Sequence, residues 1–384
     1  MQTANSGWSL RLALVLTAVI GTMPASYRSA RAAAIAGVYA LQDPGQPFSP
    51  EVLNNPNVDG VALRFRWSWL EPREGFYDWS RLDNQIAQAA NRGKKVSISI
   101  VPGWGTPDWV YDAGAARYAF MFSPGGGMMA CRQASIPVPW DPVFMGKWQQ
   151  FVRAAGAHYD NNPAIVSMKL LGINANTPEM ILPHAGPWSK CPNNDQIANW
   201  QKAGYTRARL VQTWQAFASL WSGAFPHKGL VLELVPGGMP PIGDDGRVSA
   251  RANPNGDVLA TQEIVALAVR TLGPQLIVQN DGLSGYWNWE MIPQLAQRGV
   301  TVGYQMLWAA TGDRQCRMNR GQQPCDPQTA LAAAVNRGIE TGARYLEIYP
   351  IDIRNPALQG IIADAHQRLT GGAPVRADHG WFGE

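Results

Sequence analysis

The 384-residue chain is 46% hydrophobic and 16% charged, which excludes an intrinsically disordered protein and is ample for a large core. Its formal charge of +4 falls by three, to +1, once Arg11, Arg28 and Arg31 of the N-terminal segment are set aside, so no nucleic acid or anionic membrane is expected as a partner. Sixteen tryptophans are more than packing alone usually asks of indole, whose N–H wants a hydrogen-bond partner.

The chain opens with Arg11, the apolar run 12–20, Pro24 and the small-residue site Ala30-Arg31-Ala32. This is the layout of a secretory signal peptide, and the run is too short to span a bilayer comfortably. The expected organisation is a signal peptide over 1–32, one domain over 33–370 and a short tail over 371–384. The mature protein is expected to be secreted or periplasmic, without stable membrane insertion. The four cysteines agree with export, because an even number permits two disulfides. Cys316 and Cys325 lie close together in a polar segment and are expected to pair, which leaves Cys131 with Cys191. No cysteine or histidine spacing points to a metal, and no cofactor is expected.

Eight short apolar runs read as strands: 35–41, 60–66, 95–101, 165–173, 229–235, 275–279, 300–307 and 343–349. Helical patterns fall between them, most clearly at 80–92, 143–159, 195–221, 257–272 and 327–341. Alternation without return hairpins predicts a parallel sheet, and eight repeats predict a single (β/α)8 barrel. The segments after the strands (102–142, 174–194, 236–256 and 308–326) are long, as expected where a barrel carries its site. All four cysteines lie on that face, and a 131–191 bridge would join the segments after strands 3 and 4.

The second strand runs into Arg64-Phe65-Arg66-Trp67-Ser68-Trp69-Leu70-Glu71-Pro72, followed by Gly75, Tyr77-Asp78-Trp79 and Leu82-Asp83. The third runs into Pro102-Gly103-Trp104-Gly105-Thr106-Pro107-Asp108-Trp109. Over about residues 36–110 this resembles the clan A barrel glycoside hydrolases, especially the N-terminal half of the family 42 β-galactosidases. The resemblance implies an O-glycoside hydrolase with a retaining mechanism, which the N-terminal segment would make a secreted one. It also implies a Glu just after an Asn at the end of strand 4 as acid/base and a Glu at the end of strand 7 as nucleophile. This chain departs at both places: Ala175 follows Asn174, and Gly303-Tyr304-Gln305-Met306-Leu307-Trp308 holds no acid.

Glycoside hydrolysis needs two carboxyl groups across the scissile bond, one of them able to hold a proton near neutral pH. Glu179, Glu233, Asp281, Glu347 and Asp352 lie near strand ends. Glu179, in the loop nearest the expected acid/base, and Glu347, in a strand next to strand 7, are the candidate catalytic pair. Glu233 and Asp281 are candidates for a third carboxylate or for substrate hydroxyls. An acid in so apolar a strand as 343–349 needs a partner, and Arg64 or Arg66 would serve.

Trp67, Trp104, Trp109, Trp140, Trp287, Trp289 and Trp308 fall at or just past strand ends, where indole faces would stack on sugar rings. Arg64, Trp67, Trp104, Trp109, Asn174, Glu233, Asp281, Gln305 and Trp308 are the candidate carbohydrate contacts, with Asn176 and Asn280 as further hydroxyl partners. Two other readings use the same residues: a noncatalytic carbohydrate-binding barrel that has lost the pair, and a transglycosidase of envelope glycans.

Overall fold

The computed structural model describes residues 35–124, 129–191, 194–248, 256–287 and 289–371. The expected signal peptide and almost all of the tail lie outside them. Eight parallel strands close into a barrel: β1 (Gly37–Leu41), β2 (Gly60–Arg66), β3 (Lys95–Val101), β4 (Ile165–Lys169), β5 (Gly229–Leu234), β6 (Leu276–Leu283), β7 (Thr301–Met306) and β8 (Ala343–Ile348). Each strand pairs with its sequence neighbour, and β8 pairs with β1 through Gly37↔Tyr345. The (β/α)8 barrel is thus as expected, and the strand runs foreseen in the sequence all fall on its wall.

Helices cover the outside, and their starts follow from capping chemistry. The carboxylates of Asp141, Asp257 and Asp326 each accept a backbone N–H in the first turn of helices Pro142–Tyr159, Val258–Leu272 and Pro327–Glu340. The helix expected over 195–221 is two helices, Gln196–Lys202 and Arg207–Ala224, each capped by its own residue, Asp195 and Thr206. The break lies at Gly204, whose φ of +74° no helix accommodates. One antiparallel hairpin, Arg117–Met121 with Gln133–Pro137, stands inside the long segment after β3, where no return hairpin was expected.

The barrel interior is layered. Its floor is an apolar cluster of Ile35, Tyr39, Val166, Val231, Ile277 and Tyr345. Gly60 and Gly303 leave room there, because a β-carbon at either would collide with the ring of Tyr39 or Tyr345. Above the floor, toward the C-terminal ends of the strands, the interior turns polar.

Two disulfides tie the segments at that end. Cys131–Cys191 joins the segments after β3 and β4, and Cys316–Cys325 closes the one after β7. These are the expected pairs. Among the described residues no helix is long and apolar enough to cross a membrane.

Candidate active site

Lys169, the last residue of β4, centres the polar layer. It is buried, and its Nζ pairs with Glu233 Oε1 of β5 at 2.6 Å and with Glu347 Oε1 of β8 at 2.9 Å. It also donates to Gln279 Oε1 of β6 at 2.6 Å. Gln279 Nε2 in turn donates to Glu233 Oε1, Asp281 Oδ1 and Glu347 Oε2 at 3.2, 2.8 and 3.1 Å. Tyr345 OH donates to Gln279 Oε1, so that amide is clamped from both sides. Because one ammonium holds both, Glu233 Oε1 and Glu347 Oε1 are no more than about 5.5 Å apart.

The partner of Glu347 is therefore Lys169, not Arg64 or Arg66. The residue was missed in the sequence, although a lone lysine in the apolar run 165–171 has the same signature as Glu233 and Glu347 in theirs. Burial alone would lower the pKa of Lys169, but Glu233 and Glu347 hold it well above its ordinary value, so it is a fixed cation.

Glu179 reaches this layer by a turn. Ala175 N–H donates to Ile181 O, Asn174 Nδ2 donates to Thr177 O, and Met180 N–H donates to Glu233 O. The segment after β4 thus leaves the wall, reverses at Asn176–Pro178 and returns alongside the end of β5, with Met180 bridging to Leu234. Ala175, at the place of the family's acid/base, is buried beneath this turn. Its carbonyl accepts from Trp104 N–H, and Gly103 packs so closely that a β-carbon would strike that same oxygen. Four residues later the chain brings a carboxyl back.

Four carboxyl groups consequently share one region with Lys169 and the more distant Arg64. Burial raises the pKa of Glu179, opposed by the nearby Thr177 hydroxyl and the charge of Arg64. Burial also raises Glu233, with Lys169 opposing and Glu347 and Glu179 adding to the rise. Asp281 is driven furthest, by burial and then by the charges of Glu233 and Glu179. So many acids crowded around one ammonium shift Glu179, Glu233 and Asp281 toward the protonated form.

A narrow hollow, with no room for a water-sized sphere, lies beside the cluster, lined by Arg64, Ser99, Lys169, Pro178, Glu233, Gln305 and Glu347 among others. Gln305 pairs directly with Glu347 across β7 and β8, and its Nε2 donates to Tyr349 OH at 3.4 Å. Arg64 Nε donates to Gln42 O at 2.9 Å. The hollow has none of the ligand-sized space, roughly 300–1,000 Å³, of binding pockets, and Pro178 of the turn lies on its lining.

The remaining candidates separate. Trp67 is fully buried; its Nε1 donates to Glu71 and its ring packs on Trp109, Trp148 and Phe151, so it offers no face to a sugar. Trp109 is half-buried, its Nε1 donating to Glu71 O. Glu71 also accepts from Gly75 N–H, which explains the Leu-Glu-Pro…Gly signature as a tied turn. Trp287 is buried and donates to Asn280, whose own amide donates to Leu234 O; both serve the scaffold. Trp140 and Trp289 are half-buried against the core.

Of the seven tryptophans, Trp104 and Trp308 alone are exposed, by 37% and 43%. Asn174 is buried under the turn, and Asn176 is exposed on it. Asp281 lies within β6 rather than after it, at the irregularity between the paired Asn280 and Leu283. Asp352 accepts from the N–H groups of Ala310 and Thr311 and anchors the segment after β7. No three acidic, cysteine or histidine groups form a metal-binding set among the described residues.

A family model described as β-galactosidase, glycoside hydrolase family 42, matches residues 51–174. No curated protein sequence matches the chain. Among solved structures, the catalytic domain of the β-amylase from Paenibacillus polymyxa aligns over 85% of this chain and 95% of its own, with a TM-score of 0.52 and 11% identity. Xylanase B from Clostridium stercorarium F9 covers 82% and 85%, with a TM-score of 0.45 and 13% identity. The β-galactosidase from the psychrophilic Marinomonas ef1 covers 86% of this chain but 59% of its own, with a TM-score of 0.49 and 9% identity. At such identities the structural likeness is one of fold. The family match covers β2 to β4, where the Leu-Glu-Pro signature lies, and it supports an O-glycoside hydrolase.

Proposed function

We propose that the protein hydrolyses O-glycosidic bonds of an oligo- or polysaccharide by a retaining mechanism, with Glu179 as acid/base and Glu347 as nucleophile. The carboxyl cluster in the barrel mouth, with its single buried ammonium, carries this reading. Lys169 Nζ and Gln279 Nε2 hold the two oxygens of Glu347 in place, as a positioned nucleophile requires. Glu179 is raised by burial, as a proton donor near neutral pH requires. The donor protonates the leaving oxygen while Glu347 attacks the anomeric carbon; Glu179, now a carboxylate, then draws a proton from the water that releases the glycosyl group. Entry of a sugar requires the Asn176–Pro178 turn to lift from the hollow. Secretion, inferred from the N-terminal segment, fits an exported polysaccharide-degrading enzyme.

One observation favours a second assignment of the nucleophile. Both oxygens of Glu347 are engaged, by Lys169 and Gln279, whereas Oε2 of Glu233 is buried with no partner among the described residues. A single experiment separates the two. Glu179→Ala, Glu233→Ala and Glu347→Ala are assayed on a panel of aryl glycosides with and without azide. We expect Glu347→Ala to lose at least about 10³-fold in kcat, with azide restoring turnover and giving the glycosyl azide of inverted configuration. Glu179→Ala keeps activity on the best leaving groups, and azide gives the retained product. Rescue with inversion at Glu233→Ala instead transfers the nucleophile to Glu233. A wild-type protein that binds glycans but cleaves none, in folded form, leaves the noncatalytic binding barrel.

A further inference from the structure

Two arginines on the rim of the barrel lie over the rings of Trp104 and Trp308, the two exposed tryptophans among the described residues. Arg66 ends β2; its guanidinium carbon lies 5.0 Å from the ring centroid of Trp104 and 5.1 Å from that of Trp69. Gly105 permits this placement, since a β-carbon there would press on the Arg66 side chain. Arg317 lies in the segment after β7, closed by Cys316–Cys325, with its guanidinium carbon 3.6 Å from the ring centroid of Trp308. Both segments emerge at the C-terminal ends of the strands, on the face of the carboxyl cluster. Both are held: Trp104 N–H donates to Ala175 O, and Asp352 anchors Ala310 and Thr311.

The charges are incompletely answered. Among the described residues Arg66 has no hydrogen bond and no carboxylate within ion-pair distance. Arg317 is ion-paired with Asp313, whose Oδ1 lies 3.4 Å from its Nε, but among the described residues its two terminal nitrogens make no hydrogen bond. A third arginine, Arg320, lies 5.0 Å over Tyr286, itself 39% exposed, but is tied down, one terminal nitrogen donating to Tyr286 O at 3.0 Å. A guanidinium stacked on an indole presents its in-plane N–H groups outward, and it can only donate. Neutral sugar hydroxyls need acceptors as well as donors. A planar anion takes two parallel N–H bonds from such a group while the pyranose ring lies on the neighbouring aromatic face.

We infer that the glycan bound on this rim is anionic, carrying uronate carboxylates or sulfate esters that are read by Arg66 beside Trp104 and by Arg317 beside Trp308. This names the substrate class of the proposed hydrolase and rests on that reading for turnover, though not for binding.

The test is therefore a binding measurement. Calorimetry on the Glu347→Gln variant compares an oligogalacturonide, its carboxyl-reduced neutral form, and a sulfated form of that neutral chain. We expect one or both anionic probes to bind at least about tenfold more tightly than the neutral one, a factor of about 1.4 kcal/mol. Which anion binds identifies the source. Arg66→Met and Arg317→Met should each remove most of that preference. Arg314→Met, an exposed neighbour with the same charge change and no stacking contact, should retain it. Equal binding of all three probes, absence of binding, or equal losses in Arg314→Met and Arg317→Met would overturn the inference. Far-ultraviolet dichroism and melting curves confirm that each variant is folded. If an anionic probe binds in this way but the wild-type enzyme does not cleave it, the hydrolase reading fails and the anionic site stands.

Discussion

Asp281 is the side chain on which the protonation of the cluster is best tested. It sits within β6, accepts a hydrogen bond from Gln279 and faces the charges of Glu233, Glu179 and Glu347. Its folded pKa is raised well above the value near 3.9 of an unfolded aspartate. The folded state therefore prefers the protonated form. The corresponding stability is fully present below the unfolded value and is lost as pH rises through the folded one. An asparagine side chain at this position would keep the acceptor oxygen for Gln279 and remove the charge. Asp281→Asn is expected to melt about 2–4 °C higher than wild type at pH 7, an increment of order 1 kcal/mol. That advantage should shrink to nothing as pH falls toward about 4. Melting curves between pH 4 and 8 check it. Parallel profiles, or a lower melting point for the variant at pH 7, would mean that Asp281 is ionised in the fold and that the cluster supplies no acid there. Lys169 sets the other limit: removing one partner of a buried ion pair costs about 3–5 kcal/mol, so it is a poor first target.

At the scale of elements, the departure from the family pattern has a mechanical reason. In the family resemblance the strand 4 acid follows an Asn directly, but here that position carries Ala175, pinned between Gly103 and the returning turn. Gly103 has a φ of +25°, and a methyl group there would run into the carbonyl oxygen of Ala175. Gly103→Ala is expected to cost about 2 kcal/mol or more, and to lower kcat by displacing the root of the segment that carries Glu179. Gly93→Ala is the control: its φ of +71° is also strained, but nothing lies within 4 Å of the added carbon. Urea denaturation of both variants decides, and an equal loss would show that the Gly103 contact is not tight.

The same elements show what could be read in the sequence. The strands were legible because apolar runs of parallel sheet are short and bounded. The disulfides were legible because their cysteines fall after neighbouring strands or close together. The end of β6 was not, since Gln279, Asn280 and Asp281 carry loop chemistry although the strand pairs through Asn280 and resumes at Leu283. The tryptophans misled because indoles at strand ends serve two purposes. Trp67 ties Glu71 within the core, whereas Trp104 lies at the rim, and only packing distinguishes them.

The molecule as a whole joins fold and site in one object. The polar cluster draws on β4, β5, β6 and β8, and β8 also closes the barrel between β7 and β1. The wall begins very near the expected cleavage point: Ile35 belongs to the barrel floor and β1 starts at Gly37. Cleavage near Ala32 spares the floor, whereas cleavage beyond Ile35 would remove part of it. The rim is fastened by two disulfides, which form in oxidising compartments. Expressed with its first 32 residues in a host with a secretory pathway, the protein is therefore expected outside the cytoplasm. Its N-terminus should lie near residue 33, and it should have no thiol reactive to alkylation without reduction. Intact mass and N-terminal sequencing of the exported protein test both points. In the loop-closure account Cys131–Cys191, with a separation of 60 residues, contributes about 4 kcal/mol. Mild reduction should accordingly lower the melting point of the mature protein. A full-length cytoplasmic product with four free thiols and an unchanged melting point would refute the exported, disulfide-fastened barrel.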